Sequence, residues 1–111
     1  MFAPCEHGHR RSRMRVISKG RLIGFLERYP DADSALRSWL TITLKANWKS
    51  LVDVRRDFPH ADLVGRHCTV FNIRGGKYRL VTHIDFRCRL VFVRSFLTHA
   101  DYDKGDWKRD C

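Results

Sequence analysis

Two stretches carry most of the side chains that could do chemistry: FNIRGGKYRLV at residues 71–81 and THADYDK at residues 98–104. The first offers Asn72, Lys77 and Arg79, and the second offers His99, Asp101, Tyr102 and Lys104. Histidine titrates near neutral pH and can take and return a proton. Tyrosine can do the same where neighbouring cations lower its pKa, and Lys77 and Arg79 are candidate neighbours. Asp101 could orient His99 or simply face solvent. Cleaving RNA at a phosphodiester needs such a set: a base for the 2′-hydroxyl, cations for the charge growing on phosphate, and an acid for the departing 5′ oxygen. The 2′-hydroxyl would confine that reaction to RNA. No Ser-His-Asp arrangement, paired-carboxylate metal site or nucleotide fingerprint competes with it. Plainer roles stand beside this one. The strand residues could be the wet face of an antiparallel sheet, and THADYDK could be a capped C-terminal turn.

A glycine pair before a lysine also suggests a phosphate-cradling loop. That loop requires GxxxxGK followed by Ser or Thr, and it must open a helix. Here Lys77 leads into Tyr78 and a β-alternating run instead. Gly75 and Gly76 therefore read as a hairpin turn that needs positive φ.

The elements that must position these residues follow from periodicity. A strand is predicted at about Arg15 to Ile17, with Ser18 able to cap a helix. Leu22, Phe25, Leu26 and Tyr29 fall on one helical face, and Tyr29-Pro30 ends that helix. Asp31 or Asp33 can cap a second helix, whose buried stripe is Leu36, Trp39, Leu40 and Thr43, with Leu44 beside it. Ser50 starts a short third helix with Leu51, Val54 and Phe58 inward and Pro59 just past it. Trp39 and Trp48 read as core packing. The period then changes: Cys68 to Ile73, Lys77 to Ile84 and Leu90 to Phe96 read as strands, joined by connectors short enough for antiparallel hairpins. The expected fold is α+β, a small, mostly antiparallel sheet with two or three N-terminal helices on one face. Helices would cover the face bearing Phe71, Tyr78 and Leu80. Asn72, Lys77 and Arg79 would then cluster on an uncovered face. Arg94 interrupts the apolar run LVFVRSF. An arginine in a central strand is costly unless its head reaches water or an anion, so Arg94 is expected to join the patch.

Bulk properties agree with an anionic partner. Lys and Arg number 22 against 12 Asp and Glu, a net charge of +10. That excess favours nucleic acid, with an acidic protein partner and simple solubility as the alternatives. The 111 residues suit one small domain. No apolar run approaches the roughly 18–20 residues that span a bilayer, so no membrane role is expected. Residues 1–13 mix Pro, Gly, His and Arg without an apolar period, and read as a disordered N-terminal extension to a single domain over 14–111. Met14 offers a second possible start. Cys5, His7 and His9 are too few to close a metal site. Cys5, Cys68, Cys88 and Cys111 form no CxxC pair, and a reduced, cytoplasmic protein is the simplest account.

The ordered combination of MRVISK at 14–19, a helical half, VFNIRGGKYRLV at 70–81 and THADYDK at 98–104 resembles the HigB family of type II toxins, within the RelE-like mRNA interferases. The resemblance covers most of Met14 to Lys104. It implies a RelE-like fold and ribosome-dependent endonucleolytic cleavage of mRNA without metal or organic cofactor. It also implies neutralisation by a HigA-type antitoxin with a helix-turn-helix domain, DNA being reached only through that antitoxin. Carried over by position, it makes Lys77 and Arg79 phosphate and transition-state contacts. His99 and Tyr102 become base and acid, in an order left open, and Asn72 and Lys104 become RNA contacts. Arg94 as an RNA contact rests on the strand argument. Two departures stand out: Leu97 replaces a frequent glycine before THADYDK, and GDWKRDC at 105–111 does not follow the family pattern. The alternatives are a non-catalytic RNA- or DNA-binding module using the same basic face, and an interaction protein that meets an acidic partner. His99 with Tyr102 separates them from the enzyme, since a binder needs no paired proton-transfer groups.

Overall fold

A computed structural model describes residues 13–111. The order is β1 (Arg15–Ile17), α1 (Lys19–Arg28), a 3-10 turn (Pro30–Ala32), α2 (Asp33–Lys45), α3 (Leu51–Asp57), β2 (Asp62–Val64), β3 (Cys68–Ile73), β4 (Tyr78–Asp85), β5 (Leu90–Thr98), α4 (His99–Lys104) and a terminal 3-10 segment (Asp106–Asp110). The five strands lie in the order β1-β5-β4-β3-β2. β1 runs parallel to β5, and every other pair is antiparallel. This is the expected α+β class, with β2 added at one edge. The reading for residues 1–12 lies outside the described residues.

One sheet face meets α1, α2 and α3 over the main core. Phe71 lies at its centre, with its ring 5.5 Å from Trp39, 5.1 Å from Phe58 and 6.0 Å from Trp48. Both tryptophans are buried as expected, and the Trp48 indole N–H donates to Asp57 Oδ2 at 2.9 Å. Met14 is a core residue: its backbone N–H donates to the Ala46 carbonyl, and its thioether accepts from Trp48 N–H. Losing the Phe71 ring would cost about 3–5 kcal/mol, the usual penalty for emptying a core aromatic site.

Two caps differ from expectation. Ser18 holds the N-cap position of α1, but its backbone is left-handed (φ 74°) and its side chain caps nothing. It turns the chain out of β1 instead. Neither Asp31 nor Asp33 caps α2, whose N-cap is Ala32. The Pro30–Ala32 turn aims the Asp31 carboxylate across to the β3–β4 hairpin, where Arg74, Lys77 and Tyr78 donate to it. Between β3 and β4, Arg74, Gly75 and Gly76 all have positive φ, which makes the glycine pair a hairpin turn and not a phosphate loop.

The opposite sheet face is not left bare. Cys68, Val70 and Val81 are buried there under Val64, Leu97, Tyr102, Trp107 and Cys111. The expectation of an uncovered basic face is thus corrected. The face carries apolar positions that need a cover, and α4 with the terminal segment folds back to supply it. A disulfide joins Cys68 to Cys111, whose Cα atoms are 5.1 Å apart, and no described cysteine is free, so the expectation of reduced cysteines fails. The Cys111 carbonyl accepts from the N–H groups of Arg66 and His67. Gly65 is required beside it, since a Cβ there would sit 2.5 Å from that oxygen. Among the described residues, no helix is long and apolar enough to cross a membrane.

Candidate active site

Arg79 sits on the second face of β4, opposite Asn72 of β3 and Leu97 of β5. Its guanidinium lies 4.6 Å from the centre of the Tyr102 ring. That ring in turn stacks on Trp107, at 4.8 Å and 21°. The result is a three-layer stack of guanidinium, phenol and indole. The Trp107 indole N–H donates to the Tyr102 carbonyl at 2.9 Å, which locks the lower two layers together. The cation–π contact holds the guanidinium over the ring, and its Nε donates to the Gly76 carbonyl at 3.5 Å, which leaves the two terminal nitrogens for a planar or tetrahedral anion. Among the described residues, no carboxylate pairs with Arg79.

α4 is held at its start by two bonds. Thr98 is its N-cap and accepts from Asp101 N–H, while His99 N–H donates to the Lys77 carbonyl at 3.1 Å. Gly105 ends it in the left-handed conformation. His99 and Tyr102 are three residues apart and so lie on one side of the helix. His99 is exposed, and its Nδ1 lies 2.9 Å from Asp103 Oδ2. Occupying Nδ1 leaves Nε2 for proton transfer. Asp103 therefore takes the orienting place considered for Asp101, which pairs with Lys104 at 3.7 Å. The i, i+4 spacing of His99 and Asp103 was a local signal for this pair.

Lys77 lies apart from Arg79 in its bonding. Its Nζ is 2.6 Å from Asp31 Oδ2, the same oxygen that accepts from Arg74. Tyr78 O–H donates to the other Asp31 oxygen at 2.6 Å. These bonds, with that from Lys77 the strongest influence, hold the Asp31 carboxyl at a pKa of about 2. The same carboxylate holds the Tyr78 hydroxyl protonated by raising its pKa. Asn72 stands next to Arg79 across the β3–β4 ladder. Arg94 occupies a bulge in β5: Val81 faces Ser95 and Thr82 faces Val93, so Arg94 has no partner on β4. The bulge turns its head to solvent, which is how a central strand accommodates it. It lines a basin beside Trp107 rather than the Arg79–Tyr102 stack itself.

The structure thus brings Arg79, Tyr102 and His99 to one corner, with Asn72 alongside. Asp103 and Trp107 were not foreseen as parts of it, nor was the Asp31 carboxylate that holds Lys77 away from Arg79. Among the described residues, no cluster of three or more His, Cys, Asp or Glu side chains is placed to hold a metal ion.

Residues 32–105 match the sequence model of the HigB toxin, described as the RelE-like toxic component of a toxin–antitoxin system. The mRNA interferase toxin HigB of Escherichia coli K12 is 27% identical over 93 residues, covering 81% of this chain and 88% of that protein. The mRNA interferase HigB of Shigella flexneri matches to the same extent.

Proposed function

The chain belongs to the HigB family, the RelE-like toxic component of a toxin–antitoxin system, and on that premise we propose that it is a ribosome-dependent mRNA endoribonuclease. The observation that carries this reading is the Arg79 guanidinium seated on the Tyr102 ring, with His99 one helical turn away.

In this reading the scissile phosphate meets the terminal nitrogens of Arg79, which oppose the charge gathering on the non-bridging oxygens. His99 and Tyr102 divide the base and acid roles. One removes the proton of the 2′-hydroxyl, and the attacking oxygen forms a bond to phosphorus. The other protonates the 5′ oxygen as the P–O bond breaks, leaving a 2′,3′-cyclic phosphate and a 5′-hydroxyl. Asn72 and Lys104 contact the flanking RNA. Lys77 adds a further phosphate contact after exchanging its bond to Asp31, so its loss should matter less than that of Arg79. Side chains supply every proton and charge role in this reading, and no metal ion is assigned a part in the bond-breaking step. The partner that silences the toxin is a HigA-type antitoxin with a helix-turn-helix domain, through which alone DNA is reached. A substrate of translated messages places the protein in the cytoplasm.

Expression without antitoxin should arrest growth, and primer extension on a translated message should show cuts that require ribosomes. Folded protein that neither slows growth nor cuts a message would favour the non-catalytic binding module instead.

A further inference from the structure

Beside the Arg79–Tyr102 stack, the second sheet face holds two adjoining basins. One, of about 410 Å³, is lined by Ser18, Arg21, His83, Phe92, Val93 and Arg94. The other, of about 170 Å³, shares Arg21 and Arg94 and is bounded by Trp107 and Asp110. Trp107 is the same indole that supports Tyr102, so the basins run on from the candidate active site. Arg21 reaches over from α1 and donates to the Arg94 carbonyl at the bulge, which sets two guanidinium groups at one rim. Arg94 and Arg21 have no carboxylate partner among the described residues. The floor is aromatic: the His83 ring lies 5.9 Å from Phe92 and 5.4 Å from His67. Burial, then Arg94 and His67, hold the His83 pKa below the usual imidazole value, so the ring is an uncharged stacking surface at neutral pH. Cations at a rim over an aromatic floor suit one ligand chemistry, a phosphodiester with its attached base.

We propose that these basins form a nucleotide subsite for the message beside the scissile phosphate, with a phosphate on Arg21 and Arg94 and its base against Phe92 and His83. The proposal rests on the endoribonuclease reading and adds to it a path for the substrate. Asp110 faces the smaller basin and opposes the anion.

The test is fluorescence anisotropy of the full chain with 2′-O-methyl RNA, which cannot be cut, as a dinucleotide and as a decanucleotide. Arg94→Glu should weaken decanucleotide binding roughly tenfold or more, the scale of a lost charge-assisted bond, and leave dinucleotide binding unchanged. The salt slope should fall by about 0.7, the share of one single-strand phosphate. Asp110→Asn should tighten decanucleotide binding. Arg94→Gln repeats the test without a new charge should the glutamate variant fail to fold, as read by circular dichroism. Arg94 variants that bind the decanucleotide like wild type, with wild-type salt slope, overturn the subsite. So does unchanged decanucleotide binding with lost ribosome pelleting, which would assign the basins to ribosomal RNA. If wild type cuts translated messages in either case, the endoribonuclease reading survives. A wild-type chain that cuts nothing on ribosomes overturns both.

Discussion

Arg79 is the residue on which the proposed chemistry turns, because Tyr102 and the Gly76 carbonyl hold it in place while its terminal nitrogens face outward for an anion. Arg79→Ala should lower cleavage by at least ~10²-fold, the usual loss for one transition-state contact. Arg79→Lys should recover little, since an ammonium neither stacks on the ring nor grips two oxygens. Lys77→Ala should cost less than either, because its charge is already spent on Asp31. Primer extension on a translated message reads all three. Tyr102→Phe keeps the stack and removes only the hydroxyl, so a large loss there would tie Tyr102 to proton transfer rather than packing. Asp31 carries a separate, acid-dependent effect. Its pKa of about 2 lies below the ordinary aspartate value, so its stabilising bonds are intact above about pH 4 and are lost as pH falls through about 2. Asp31→Asn should therefore melt lower than wild type near neutral pH, with the gap closing as pH falls to about 2. Thermal melts across that range check the sign.

At the scale of elements, α4 and the terminal 3-10 segment decide whether Tyr102 is in place. They are short, and their order comes from what they cover: Val70 and Val81 below, the Thr98 cap at one end and the Cys68–Cys111 bond at the other. That bond closes a 43-residue separation. Replacing both cysteines by alanine should destabilise the chain by roughly 2–4 kcal/mol, read from denaturant midpoints. Cleavage should fall with it, because Trp107, which supports Tyr102, sits in the segment the bond anchors. Much of the element pattern was legible beforehand. The α1 stripe, the α2 stripe, the α3 start at Ser50 and the β3 span follow from spacing alone. The caps were less legible. A side-chain oxygen at the right position does not cap a helix when a stronger set of donors, as at Asp31, lies elsewhere.

For the molecule as a whole, a net charge of +10 should make the proposed association with ribosomes strongly salt-dependent. Pelleting with ribosomes should fall steeply as salt rises from about 50 to about 300 mM, following the counterions released from phosphate. A flat dependence would instead indicate a contact built on apolar surface. By itself the sequence determined the α+β class, the hairpin at Gly75 and Gly76 and the core tryptophans. All of these depend on side-chain type and on spacing within a few residues. Tertiary structure alone decided that Arg79 lies on Tyr102, that Lys77 turns to Asp31, and that Trp107 and Cys111 close over the second face. Those outcomes come from contacts between residues far apart in the chain. They are settled by which apolar surface must be covered and which charge finds the nearest partner, and short-range periodicity records neither.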